Sequence, residues 1–498
     1  MPALSRLTAW ITAHPGRAFA GFAGLHAALW TALPALLYPN LPLDLIEALM
    51  YGREWQLGYD KLPPLPWWLV EIAYRTLGHD FAYYLLAEIA VIAGFALVFL
   101  TARALVGGLG ALVAVLIADG LHYFNYTAAK FNHDVIQLPF WALAGYAFHR
   151  ALRGRQMADW LLLGLAAGMA LWSKYFVVVL VAPMALFLLV DRDARRALST
   201  PGPYVAAAAA LIVAAPHLVW LVQNDFLPFA YAEHRAVLPR GWYDHLWHPL
   251  QFLFGQWFFL LPSLVIATPL FLPRRRASEP PAYATDAFDY RIVSWLAFGP
   301  MAAVLAMSAV SGRGTVAMWG YPLWLFLGLW LVLSARNALD RQRLARILAI
   351  WGIVFAGLAL AFFANYDLLP RFDHRYRAVF YPGGALGRDV EARFRTATGA
   401  APVYVIGTMW DGGNVEHYAP SHPRNLVDGE PARAPWIDLA DLKRRGAVLV
   451  WTDSDPARLP EKFAGIAAGA VVQPPFTLAY RRGPGEVRVG WAILRPIK

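Results

Sequence analysis

The chain has 498 residues, 59% hydrophobic, 14% aromatic and only 15% charged, with 43 basic against 33 acidic side chains and a net charge of +10. A soluble globular protein carries about 25% charged residues, so the composition excludes a soluble enzyme, a disordered chain and a coiled coil. The absence of cysteine also excludes a disulfide scaffold, a thiolate nucleophile and a cysteine-ligated metal.

The first apolar run, 18–38, follows Arg6 and Arg17 and is longer than the core of a cleaved signal, so it reads as a retained span. Ten more apolar stretches follow, near 81–101, 108–121, 135–148, 157–172, 176–190, 204–222, 250–272, 292–310, 316–334 and 345–364. They predict a polytopic α-helical membrane protein of about eleven spans. With the N-terminus inside, the inner loops collect Arg103, then Arg150, Arg153 and Arg155, then Arg192, Arg195 and Arg196, then Arg274, Arg275 and Arg276, then Arg336, Arg341, Arg343 and Arg346. This positive-inside pattern accounts for most of the net charge without nucleic acid. It places the loops 39–80, 122–134 and 223–249, the turn at Ser173 and everything after Asn365 on the outer side.

Lysine breaks the pattern. Within the membrane part, 1–365, Lys61, Lys130 and Lys174 all fall on the outer side. Singly they read as interfacial anchors, but together they suggest an anion site at the outer membrane face, suited to a lipid-borne phosphate. From 366 to 498 charges, Gly and Pro become frequent. Strands near 403–407, 448–451 and 477–480, with helices near 386–396, 439–445 and 461–468, predict a small α/β domain there.

The first outer loop is the most informative segment. Asp44 and Glu47 are three apart and share a face of any helix. Pro63-Pro64 ends that helix before the Trp67-Trp68 anchor. An Asp at the end of the first span, about fourteen residues before Gly58-Tyr59, and then Pro63-Pro64-Leu65, resembles the first outer loop of the bacterial GT-C membrane glycosyltransferases. The family 39-type enzymes, which include aminoarabinose and protein-mannose transferases, are the most similar. Three further segments carry the resemblance: Asn132-His133-Asp134, Ser173-Lys174, and Glu233-His234-Arg235 followed by His248-Pro249.

The resemblance implies a bacterial inner-membrane enzyme with its C-terminal domain in the periplasm. The enzyme would move a monosaccharide from a polyprenyl-phosphate donor to an envelope acceptor such as lipid A, core sugars, another glycolipid or a protein. It makes Asp44 the catalytic carboxylate. The family's second acid and its lysine fall on Leu45 and Leu62, where Glu47 and Lys61 lie close enough to substitute. Asp134 takes the acidic role of the second outer loop. Lys61, Lys174, Arg235 and Lys130 are the donor-phosphate candidates, and Tyr59, Glu233, His234 and His248 the substrate-binding ones. One carboxylate to accept the acceptor proton and cations for the leaving phosphate suffice for such chemistry, through an oxocarbenium-like transition state and with inversion.

Other readings stand beside these. Asp44 and Asp134 also suit helix N-termini. Glu233, His234, His245 and His248 are metal-capable types but equally ordinary solvated loop residues, so no cofactor is expected. Glu88 and Asp119, inside predicted spans, have no assigned role, and Asp411-Gly412-Gly413 reads as a turn. A lipid-linked sugar transporter, or a non-catalytic envelope assembly protein, would share the spans and the anion site. The ionisable residues gather in outer loops rather than at mid-membrane, and no repeat is visible, which favours the enzyme.

Overall fold

The computed structural model describes residues 2–235, 237–272, 286–335, 339–373 and 375–496, without the side chains of 2–4, 231, 232, 234 and 235. Arg274, Arg275, Arg276 and Arg336 lie outside the described residues. The helices in chain order are α1 (Pro2–Ala13), α2 (Pro15–Leu37), α3 (Leu43–Gly52), α4 (Leu65–Leu77), α5 (Phe81–Asp119), α6 (His133–Gly154), α7 (Met157–Ser173), α8 (Val178–Val190), α9 (Gly202–Gln223), α10 (Leu227–Arg235), α11 (Asp244–Phe271), α12 (Ala287–Ser311), α13 (Leu327–Ser334), α14 (Arg341–Phe363), α15 (Gly383–Thr398), α16 (Met409–Tyr418) and α17 (Leu439–Arg445). They divide between two compact units: residues 1–32, 61–65 and 84–361 in the first, 33–60, 66–83 and 362–498 in the second.

Among the described residues six helices are long and apolar enough to cross a membrane: α2, α5, α9, α11, α12 and the helix beginning at Arg341. α7 and the segment ending at Val190 are apolar but shorter. At 1.5 Å per residue the 39 residues of α5 far exceed a bilayer. The helix breaks at Gly107, which has φ 70° and ψ 176°, at the junction of two predicted spans. The predicted span 316–334 is instead a 3₁₀ turn, Ala317–Gly320, followed by turns and the short α13. Pro322 cannot donate a helical hydrogen bond, and a Cβ on Gly320 would lie 2.1 Å from Gln256 Oε1. Irregular backbone at such depth requires burial in protein, and residues 320–329 are all buried.

Small residues let the helices of this unit approach. Gly164 and Gly168, four apart on α7, face α9, where added Cβ atoms would lie 2.2 Å from Ala206 O and 2.7 Å from Val213 Cβ. The connections form two groups. Arg150 pairs with Asp159 at 2.9 Å, Arg153 with Asp286 at 3.0 Å and Arg291 with Asp191 at 2.7 Å, tying together loops predicted to be internal and the start of α12. The segments 122–134, 173–175 and 317–321 form the other group.

The second unit contains a six-stranded sheet of order β2-β1-β3-β6-β4 with β5 on β6. Its strands are β1 (Tyr404–Gly407), β2 (Arg424–Val427), β3 (Ala447–Trp451), β4 (Val471–Val472), β5 (Phe476–Ala479) and β6 (Glu486–Leu494). β2, β1 and β3 are parallel and β6 runs against β3. Because successive residues of a strand face opposite ways, Val405 and Val448 meet α15 and α16 on one face, while Tyr404, Ile406 and Leu449 meet α17 on the other. The predicted helix 461–468 is only a 3₁₀ turn, Glu461–Phe463, since Gly465 weakens its middle and Gly469 adopts φ 85°.

The Asp411-Gly412-Gly413 segment, read from sequence as a turn, lies inside α16, whose N-cap Thr408 accepts a hydrogen bond from Asp411 N at 2.9 Å. Its glycines serve close packing. A Cβ on Gly412 would lie 2.4 Å from Asn425 Oδ1, and one on Gly413 2.8 Å from Ile46 Cγ2. Thus α3, from the loop predicted to be the first outer one, packs directly on α16, and Asn40 donates to Asn414 at 3.2 Å.

Candidate active site

In the second unit, α3 begins after Pro42, which supplies no side-chain cap, so Asp44 is a first-turn acid rather than a cap. From Leu45 to Gly52 every residue of α3 is buried, Glu47 included, whereas Asp44 is half-buried. The loop after α3 is clamped to the sheet domain by three guanidinium–carboxyl contacts. Arg53 reaches Glu416 at 2.9 Å, Glu54 receives Arg424 at 3.0 Å, and Asp60 receives Arg433 at 2.7 Å. Asp60 also accepts the Tyr51 hydroxyl at 2.7 Å, and Arg433 reaches Asp428. Tyr59 is 1% exposed; its hydroxyl donates to Tyr51 O at 2.7 Å and accepts from Gln56 N at 3.1 Å, and its ring meets Trp436. It is a packing element of the loop.

In the first unit, Asp134 and Lys174 come together. Lys174 Nζ lies 2.6 Å from Asp134 Oδ1, which also accepts from Gln137 Nε2 at 2.7 Å. Asn132, not Asp134, caps α6, through Val135 N at 3.1 Å. Lys174 occupies the extended break between α7 and the next 3₁₀ turn, which frees its side chain from either helix. Lys130 is half-buried at the end of a 3₁₀ turn. Burial and the Lys130 charge lower the His122 imidazole to about 4, so it is neutral and shares a 2.6 Å hydrogen bond with Thr127. Tyr123 donates to Ala317 O at 2.7 Å, tying this loop to the 317–321 turn. Lys61 belongs to this unit and is half-buried.

The third predicted loop is less convergent. Glu233 is exposed and pairs with Arg313 at 2.9 Å. His234 and Arg235 close α10, and their side chains lie outside the described residues. His248 lies 3.5 Å from Asp244, one turn away, and His245 bonds Ala309 O at 2.7 Å. Among the described residues no three His, Asp or Glu side chains converge as a metal site.

Sequence reasoning missed His26. It is fully buried, with Nε2 3.0 Å from Glu88 and Nδ1 2.9 Å from Asp119, and Asp119 in turn accepts Trp351 Nε1 at 2.6 Å. This links the two intramembrane acids that had no assigned role. A histidine inside a predicted span was the available signal.

The sequence pattern of the dolichyl-phosphate-mannose-protein mannosyltransferases matches residues 61–220. The lipid A galacturonosyltransferase RgtD of Rhizobium johnstonii is 29% identical over 190 residues, 37% of this chain and 39% of its own length. The lipopolysaccharide core galacturonosyltransferase RgtB of the same organism is 24% identical over 473 residues, 91% of this chain and 92% of its own. Among solved structures, ArnT from Cupriavidus metallidurans aligns over 98% of both chains at 14% identity, with TM-scores of 0.61 bound to undecaprenyl phosphate and 0.62 in the apo state. The chain is thus a polytopic membrane protein with the GT-C fold of ArnT, similar in sequence to the membrane glycosyltransferases named above.

Proposed function

We propose that the protein transfers a monosaccharide from a polyprenyl-phosphate donor to a glycolipid of the bacterial envelope, at the periplasmic face of the inner membrane. The names of its relatives make galacturonate the first sugar to test and lipid A or core sugars the first acceptors. The observation that carries the reading is the fold match along nearly the whole chain to a protein solved with undecaprenyl phosphate, together with a half-buried Asp44 at the head of α3.

In this reading Asp44 accepts the proton of the acceptor hydroxyl as its oxygen attacks the anomeric carbon. The bond from that carbon to the phosphate oxygen breaks, polyprenyl phosphate leaves, and the configuration inverts. Glu54, Asp60 and Glu71 are each engaged by a guanidinium and are poor alternatives as the base. Lys61, Lys130, Lys174 and Arg235 stabilise the departing phosphate. Asp134 holds Lys174 in place for this task, and Glu47 supports Asp44 from the interior of α3. His248 and Glu233–His234 line the acceptor approach, and Tyr59 keeps the loop in shape.

The test is transfer by the full-length protein in nanodiscs, from a panel of radiolabelled polyprenyl-phosphate sugars to lipid A and core acceptors. Asp44→Asn is expected to lower turnover by about 100- to 10,000-fold with the thermal transition intact. Undiminished transfer by that variant excludes Asp44 as the base.

A further inference from the structure

The second unit contains a cavity of about 320 Å³, with both polar and apolar walls, that the chemistry above does not use. Arg53, Glu71, Tyr74, Arg75 and His417 are among its walls. Arg53 is committed, since its Nη1 serves both Glu416 and the His422 carbonyl. Arg75 is not. Glu71 holds its Nε at 2.6 Å, its side chain is 58% exposed, and among the described residues its two terminal nitrogens have no hydrogen-bond partner. The guanidinium therefore has a fixed root and an open fork.

An aromatic surface adjoins that fork. The Arg75 guanidinium carbon lies 5.7 Å from the centre of the Trp55 ring, and Trp55 is 42% exposed beside Trp68. Trp55 adopts φ 48°, a left-handed conformation that costs a bulky residue about 1–3 kcal/mol. Tyr74 and His417, both walls of the cavity, meet edge to face at 6.0 Å.

A sugar bearing a carboxylate fits this arrangement. Its C–H face covers an indole, and its anion takes two parallel N–H bonds from a guanidinium. The volume is at the small end for ligand pockets, which suits about one sugar residue. We propose that this cavity, with Trp55 beside its Arg75, binds an acidic sugar of the acceptor glycan. Its assignment to the acceptor rests on the transferase reading above; the binding itself does not.

Two measurements separate these. Saturation-transfer NMR on the full-length protein in nanodiscs uses galacturonate and neutral galactose as probes. Galacturonate is expected to bind at least about tenfold more tightly than galactose, and Arg75→Gln and Trp55→Leu each to abolish its signal. No binding of galacturonate, or equal binding of galactose, overturns the proposal, whatever the transfer activity. With transfer established, Arg75→Gln is expected to raise the acceptor KM about tenfold and the donor KM far less. An unchanged acceptor KM overturns the assignment to the acceptor. Galacturonate binding in a protein that transfers nothing leaves the cavity intact as a sugar site and removes the transferase reading instead. Because Arg75→Gln leaves the buried Glu71 without its guanidinium, its folding is checked by its thermal transition, and Trp55→Leu, which keeps the Arg75–Glu71 pair, is the second variant.

Discussion

Replacing Arg433 with Met tests whether the sheet domain holds the first outer loop in shape. Arg433 donates to Asp60 at 2.7 Å, and Asp60 is 7% exposed with only the Tyr51 hydroxyl as its other described partner. Removing one member of a buried ion pair costs about 3–5 kcal/mol because the other charge is left without compensation. Arg433 is 22% exposed and Tyr51 remains, so about 2–3 kcal/mol is expected here. The loss falls on the local opening of residues 53–60, not on the whole chain. Hydrogen exchange is the direct assay: at 1.4 kcal/mol per factor of ten, amides of 53–60 are expected to exchange about 30- to 150-fold faster. Exchange in α15 is expected to stay at its wild-type rate. Adding Asp60→Asn to Arg433→Met should recover much of the loss, since no buried charge then stands alone. Wild-type exchange across 53–60 in Arg433→Met would falsify the clamp.

Three more outcomes are expected. Asp134→Asn and Lys174→Met should each destabilise the protein by about 3 kcal/mol, and the double variant by less than their sum, in a denaturation cycle; strict additivity shows that the 2.6 Å pair contributes nothing. Gly412→Ala drives a methyl to about 2.4 Å from the buried Asn425 amide and should cost about 1–3 kcal/mol of thermal stability, whereas a wild-type midpoint shows that the α3–α16–β2 junction can relax. Burial, opposed by Arg53, pushes Glu416 up to about 8 from 4.5, and burial lowers His417 to about 4 from 6.5. Between pH 4.5 and 8 the folded state holds a Glu416 proton that the unfolded chain lacks, so this contribution falls as pH rises; the His417 contribution rises with pH between 4 and 6.5. The two oppose each other up to pH 6.5, and from 6.5 to 8 Glu416 alone should cost about 2 kcal/mol. A Glu416→Gln variant whose stability falls just as steeply from pH 6.5 to 8 removes Glu416 as the cause.

Composition and local pattern determined the membrane class, since 59% hydrophobic residues with 15% charged cannot be covered by water. They also determined most helix positions, because an apolar run of spanning length has few other stable solutions. The break in α5 at Gly107 falls between two predicted spans, 81–101 and 108–121. Asp44 and Lys174 could be singled out because short-range features, a Pro-Pro stop and a break between apolar runs, bracket them. Tertiary structure alone decided what lies far apart in the chain: the Arg53, Glu54 and Asp60 pairs with Glu416, Arg424 and Arg433, the union of Asp134 with Lys174, and the His26 bridge between Glu88 and Asp119. The same holds for Gly412 and Gly413. Their local preference is for a turn, but α3 and β2 press so close that only a residue without a side chain fits, and the surrounding contacts keep them helical. Partner choice across more than 300 residues depends on which faces the core brings together, and no local periodicity encodes that.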